Sequence, residues 1–165
     1  MDLFETIRFK PDKFLLNIIY SACASLCNER AIRLGTKVFD EMPKNYSNDI
    51  MIISSAIHMF MNFGHVKKAE SIYSQISRPD IVVYGAMMSG YVNNQNPLKC
   101  LKFFEEIYKD NLIPDEPVIL SLIGACSQIG HQSTCERILN DIPLKHRHSR
   151  RVANCLIDMW VCSRL

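Results

Sequence analysis

Residues 81–107 read IVVYGAMMSGYVNNQNPLKCLKFFEEI, and the same plan is written on either side: IMIISSAIHMFMNFGHVKKAESIYSQI at 50–76 and EPVILSLIGACSQIGHQSTCERILNDI at 116–142. Each string opens with an apolar run of about 13 residues, enough for a helix of three to four turns. A polar break follows: Phe63-Gly64-His65, Asn93-Asn94-Gln95-Asn96-Pro97 or Ile129-Gly130-His131. Gly, Asn and Pro at these points end helices. The second, amphipathic helix then sets a small residue at one fixed offset, Ala69, Cys100 and Cys135, and a bulky one four positions on, Tyr73, Phe104 and Leu139. That spacing places both on one helix face. Arg78-Pro79-Asp80 and Ile113-Pro114-Asp115 close two of the units, Pro halting one helix and Asp capping the next.

A unit of about 31 to 35 residues built from two helices is the mark of a solenoid, in which no unit buries its apolar face alone and function is spread over a surface. The plan extends to both ends. Pro11-Asp12 precedes a helix from Lys13 to about Leu26, and a second helix is expected from about Ala31 to Met42, ending at Pro43, with a break between them about three residues longer than elsewhere. Leu3-Phe4-Glu5 reads as the last turn of an earlier helix, and Arg150 opens one more first helix, RVANCLIDMWV. The expected architecture is an all-α solenoid of antiparallel helix pairs in one array: 1–12 the end of a preceding unit, then 13–49, 50–80, 81–115, 116–149 and a partial unit at 150–165. The chain thus reads as part of a longer array.

With 48% hydrophobic residues the chain can bury a continuous apolar strip, and its net charge of +2 carries no strong polyanion signature. The one dense basic run, Lys145 to Arg151, reads as a solvated loop or a phosphate contact. Seven cysteines, scattered mostly on helices, fit free thiols in a reducing compartment better than a disulfide framework. Cys23 and Cys27 are read as packed rather than ligating. His131 and Cys135 lack the second pair of ligands that a structural zinc site needs, so no metal or cofactor is expected. His146 and His148 have no catalytic partner in the sequence, and phosphate-loop, dinucleotide and zinc-deaminase patterns are absent. The longest apolar stretch, Ile50 to Phe63, is too short to span a bilayer, so no membrane association is expected.

The strings DIVVYGAMMSGYVNN, PDEPVILSLIGACSQIG and VANCLIDMW resemble pentatricopeptide repeats (PPR), specifically the mixed-length arrays in which short, standard and long units alternate. Residues 50–80 resemble the short type, 81–115 the standard type, and 13–49 and 116–149 the long type. The resemblance implies a right-handed superhelix whose inner groove binds single-stranded RNA at about one base per repeat. It also implies an organellar setting, mitochondrial or other, and a role in RNA processing, editing or stabilisation alongside other RNA-processing proteins. Any deaminase domain would lie outside this sequence, which holds no catalytic set. In that family the fifth and last residues of a unit choose the base and the second stacks on it. The matching positions are Asn17 and Asp49, Ser54 and Asp80, Gly85 and Asp115, Leu120 and Ser149, and Asn154 for reading. Phe14, Met51, Val82, Pro117 and Arg151 stand at the stacking position. An ionised Asp only accepts hydrogen bonds, which favours guanine or uracil over adenine or cytosine. The alternative for Asp49, Asp80 and Asp115 is that they only cap helices, and the alternative for the whole chain is a tetratricopeptide-like protein scaffold. Two further expectations complete the picture: RNA binding that falls steeply with salt, and self-association through an uncapped end formed by Leu156, Ile157, Met159 and Trp160.

Overall fold

The protein is described from a computed structural model covering residues 11–130, 142 and 149–162, with backbone alone at 160–162. The described residues form eight α-helices: α1 (Lys13–Leu26), α2 (Glu29–Asp40), α3 (Ile50–Asn62), α4 (Val66–Tyr73), α5 (Ile81–Asn93), α6 (Pro97–Lys109), α7 (Glu116–Ile129) and α8 (Arg150–Cys162). Four expected features lie outside them: the helix end at Leu3-Phe4-Glu5, the second helix carrying Cys135 and Leu139, His131, and the basic run from Lys145 to His148.

The helices pack as sequential pairs, α1 with α2, α3 with α4, α5 with α6, and the first helices also lie side by side in the order α1, α3, α5, α7, α8. This is the all-α solenoid expected from the repeat. The inner first helices are apolar on most sides because neighbours close them in: α3 packs on α1, α4 and α5, and its Ile52, Ala56, Ile57, Met59, Phe60 and Met61 are all fully buried. The small-residue offset of the second helices is a packing position, since Ala69 and Cys100 are fully buried and Phe104, four residues on from Cys100, is buried beside it. Tyr73, at the same bulky offset, is half-buried and stacks edge-on to Tyr84 and tilted against Phe103.

Helices α3 and α5 approach closely toward their C-terminal ends. A Cβ on Gly90 of α5 would stand 2.5 Å from Met61 Cβ of α3, a distance no side chain can occupy. The same region carries a series of amide rungs. Asn62 Nδ2 donates to Ala24 O at 3.4 Å, Asn94 Nδ2 to Met61 O at 2.8 Å, and Gln128 Nε2 to Val92 O at 2.8 Å. The acceptor is the twelfth residue of its unit each time, at a helix end, where Met61 O and Val92 O also accept turn bonds from Gly64 N and Gln95 N. A side-chain amide from the next unit adds a bond across the seam.

The first unit corrects two expectations. Helix α2 begins at Glu29, capped by Asn28 through its bond to Ala31 N, so the break after α1 is only Cys27-Asn28. The additional residues of this unit sit after α2 instead, where a one-turn 3₁₀ helix, Lys44–Tyr46, leads to Asp49. Cys23 is buried as expected, but Cys27 is exposed, in the left-handed conformation that ends α1, with its thiol directed at Asn62 O, 3.1 Å away.

Candidate functional site

The second residue of every first helix stands on the same exposed strip. Phe14 is 79% exposed, Met51 53% and Val82 56%, and Pro117 and Arg151 at the same offset in α7 and α8 are exposed too. Apolar side chains left in water in register, unit after unit, are not explained by the core. Further along the same strip lie Ser21, Ser55, His58 and Asn62, giving a surface of methyl, hydroxyl, imidazole and amide groups. Burial lowers the pKa of His58, whose ring Nε2 lies 3.5 Å from Asn62 Nδ2, so it is neutral near pH 7.

Each Asp that precedes a first helix, Asp12, Asp49, Asp80 and Asp115, is a helix cap. Asp12 Oδ1 accepts from Leu15 N at 2.8 Å, Asp80 Oδ1 from Val83 N at 2.9 Å and Asp115 Oδ1 from Val118 N at 3.1 Å. A bond of this kind is worth about 1 kcal/mol. In these three the cap uses one carboxylate oxygen. Asp49 is committed on both sides: Oδ1 accepts from Met51 N and Ile52 N, and Oδ2 meets Lys13 Nζ at 2.6 Å. The Lys13 ammonium holds the Asp49 carboxyl below the usual range.

The fifth residues differ among themselves. Asn17 Oδ1 accepts from Ser55 Oγ of the next first helix, so its amide is oriented across the seam between α1 and α3. Ser54 is only 6% exposed, and its hydroxyl donates to Met51 O at 3.0 Å within its own helix. Gly85 is half-buried, and a Cβ built on it would meet only Val118 Cγ2, at an ordinary 3.7 Å. Leu120 is half-buried against the core, while Asn154 is exposed. Ser149 precedes α8, its carbonyl accepting from Ala153 N at 2.9 Å. Arg151 Nη1 lies 3.8 Å from Glu116 Oε1.

Ser55, His58 and the rung amides Asn62, Asn94 and Gln128 escaped the sequence analysis, although an amide near the end of three successive first helices is visible once the units are aligned. The expected self-association patch is only partly exposed: Met159 is buried, Leu156 half-buried and Ile157 61% exposed, with the Trp160 side chain outside the described residues. Among the described residues no cluster of His, Cys, Asp and Glu could hold a metal ion, and no described helix is long and apolar enough to cross a membrane.

Residues 82–112 match the family model of the PPR repeat. A chloroplastic pentatricopeptide repeat-containing protein of Arabidopsis thaliana is 30% identical over 166 aligned positions, covering 97% of this chain and 19% of that protein. A mitochondrial one from the same plant is 31% identical over 122 positions, covering 73% of this chain and 17% of its own length. This chain therefore spans about a fifth of the curated relatives it matches. Matched at 82–112 and carrying the same two-helix plan on either side, the chain is a pentatricopeptide-repeat protein.

Proposed function

We propose that this chain binds single-stranded RNA along the exposed strip of its first helices, with one nucleotide per helix pair, as part of organellar RNA processing, editing or stabilisation. The units are taken as 13–49, 50–80, 81–115, 116–149 and 150–165, in the long, short, standard, long order of a mixed-length array. The observation that supports this most is the shared register of Phe14, Met51 and Val82, which repeats an exposed apolar platform beside an Asp carboxylate, from Asp12, Asp49 and Asp80, at three successive unit boundaries. Bases have two apolar faces and polar edges, and a platform next to an acceptor suits both. Spacing by one unit suits a strand whose bases are splayed apart. The chloroplastic and mitochondrial names of the relatives support the organellar setting.

Within this reading, Ser54 with Asp80 favours guanine and Asn17 with Asp49 favours uracil. Asp80 is the better test because its cap uses only Oδ1, and Asn caps a helix as well as Asp does. Selection of this chain on randomised single-stranded RNA is expected to enrich a guanine at the Ser54 unit. Asp80→Asn should fold as well as the wild type and lose discrimination against adenine by roughly 1 to 3 kcal/mol. No enriched sequence, or equal affinity for single- and double-stranded RNA, would favour the peptide-binding scaffold instead.

A further inference from the structure

Along α1, α3, α5 and α7 the strip that would receive the strand is almost free of charge, while α8 starts with two exposed arginines, Arg150 and Arg151. In α1, α3, α5 and α7 the charged residues are Lys13 and Glu116 alone, both at the first position of their helix. Each is ion-paired: Lys13 with Asp49 at 2.6 Å, Glu116 with Arg151 at 3.8 Å. The Lys and Arg side chains of the repeat lie instead on the second helices, for example Arg33 in α2, Lys67 in α4 and Lys102 in α6. Helix N-termini are the usual alternative anchor for phosphate, because their free N–H groups and dipole attract an anion. Here the N-termini of α1, α3, α5 and α7 are each closed by a carboxylate, from Asp12, Asp49, Asp80 and Asp115. A phosphate brought to that edge would meet like charge rather than free donors.

We infer that along α1, α3, α5 and α7 the strand is held by its bases and sugars while its phosphates stay in solvent, so that binding depends only weakly on salt. This rests on the RNA reading above and reverses the steep salt dependence expected from the sequence. Each phosphate neutralised on a single strand contributes a slope of about −0.7 in log K against log salt, so one contact loses about threefold in affinity between 50 and 200 mM salt and four lose about fiftyfold. Among the described residues the cations left exposed on the strip are Arg150 and Arg151 at the start of α8, so the expected loss is that of two contacts at most, about sevenfold.

The test uses the 165-residue chain and the RNA sequence it selects. Affinity is measured from 50 to 200 mM salt for that RNA and for the same sequence with uncharged methylphosphonate linkages. The expected result is a change of about sevenfold or less across the salt range, and affinities for the two backbones that differ by no more than that. Asn93→Lys supplies the missing charge: Asn93 is exposed at the C-terminal end of α5, where a cation is favoured by the helix dipole. That variant should gain about threefold in affinity at low salt and lose the gain at 200 mM. A loss of twentyfold or more for the wild type, or failure of the uncharged backbone to bind, overturns the inference and leaves RNA binding standing. Unchanged affinity and slope in Asn93→Lys overturns it as well, since the strand would then not run along this face. A failure of the proposed function is a different result, an absence of any selected RNA.

Discussion

The first helices and the second helices of this chain solve opposite problems. Helices α1, α3, α5 and α7 are stacked side by side and closed in by neighbours, leaving one narrow strip in water, and they hold almost no charge. Helices α2, α4 and α6 are amphipathic, with Lys, Arg, Glu and Asp on the side away from the core. A helix that must face three neighbours can spare only a few positions for solvent, and in this protein those positions recur at a fixed offset in each unit. Solubility is thereby assigned to one layer and the candidate binding strip to the other, so a substitution that is harmless in the outer layer should be damaging in the inner one.

The largest expected effect comes from exchanging the two rules. Ala56 is fully buried in α3, and Ala56→Lys would place an unpaired ammonium there at a cost of about 3 kcal/mol or more. Lys102→Ala removes a charge from an exposed position of α6 and should stay within about 0.5 kcal/mol of wild type. Urea unfolding of the two variants measures the contrast directly. Comparable losses would mean that the layers are not distinguished in the way their burial implies.

Two glycines of one helix divide the inner layer further. Gly90 stands where Met61 of the preceding first helix comes closest, and a Cβ there collides with the Met61 stem rather than with its flexible end. Gly90→Ala should therefore destabilise by about 1 to 3 kcal/mol through forced separation of α3 and α5. Gly85 has only an ordinary contact with Val118 ahead of it. Gly85→Ala should stabilise by about 0.5 to 1 kcal/mol, because Ala costs less backbone entropy in a helix interior. Opposite signs at positions five residues apart, read by thermal or urea unfolding, would show that close helix approach is confined to the C-terminal half of the stack.

The helix pairs were legible in the sequence because each apolar run, polar break and Pro-Asp closure repeats, and repetition corrects for the weakness of any single signal. Where the pattern departs from the repeat, the sequence was misread. Helix α1 ends on Cys27 at φ 45° rather than on a glycine, so the Asn28 cap went unnoticed and the inserted residues were placed before α2 instead of after it. Phe14, Met51 and Val82 were singled out by the family resemblance, which sets apart the second residue of each unit, and not by the pattern of the helices themselves. The fate of Ser54 was not legible: a helical serine can reach solvent or bond back to its own turn, and packing chose the second. The amide rungs were missed for a different reason. They join residues in neighbouring units, 33 to 38 positions apart, and a helix read on its own face gives no sign of what its neighbour's last carbonyls need.

The smallest effect tests the seam where the two layers meet. Glu70 of α4 accepts from Tyr91 Oη of α5 at 2.9 Å and from Lys99 Nζ of α6 at 2.5 Å, both on Oε1, while the Lys99 ammonium also sits 5.6 Å from the Tyr91 ring centroid. One carboxylate thus ties two second helices to a first helix. The Lys99 bond, followed by that of Tyr91, holds the Glu70 carboxyl below the usual range. A depressed carboxylate contributes stability that is fully present above its unfolded value, about 4.3, and is lost as pH falls through the lower folded one. Its side chain is 32% exposed, which limits the contribution to about 1 kcal/mol. Glu70→Gln should accordingly be about 1 kcal/mol less stable than wild type at pH 7, with the gap closing as both proteins are taken to about pH 3. Urea midpoints at the two pH values measure it. A gap that persists at pH 3 would mean that shape, not charge, is what the seam uses, and that charge is a property of the outer surface alone.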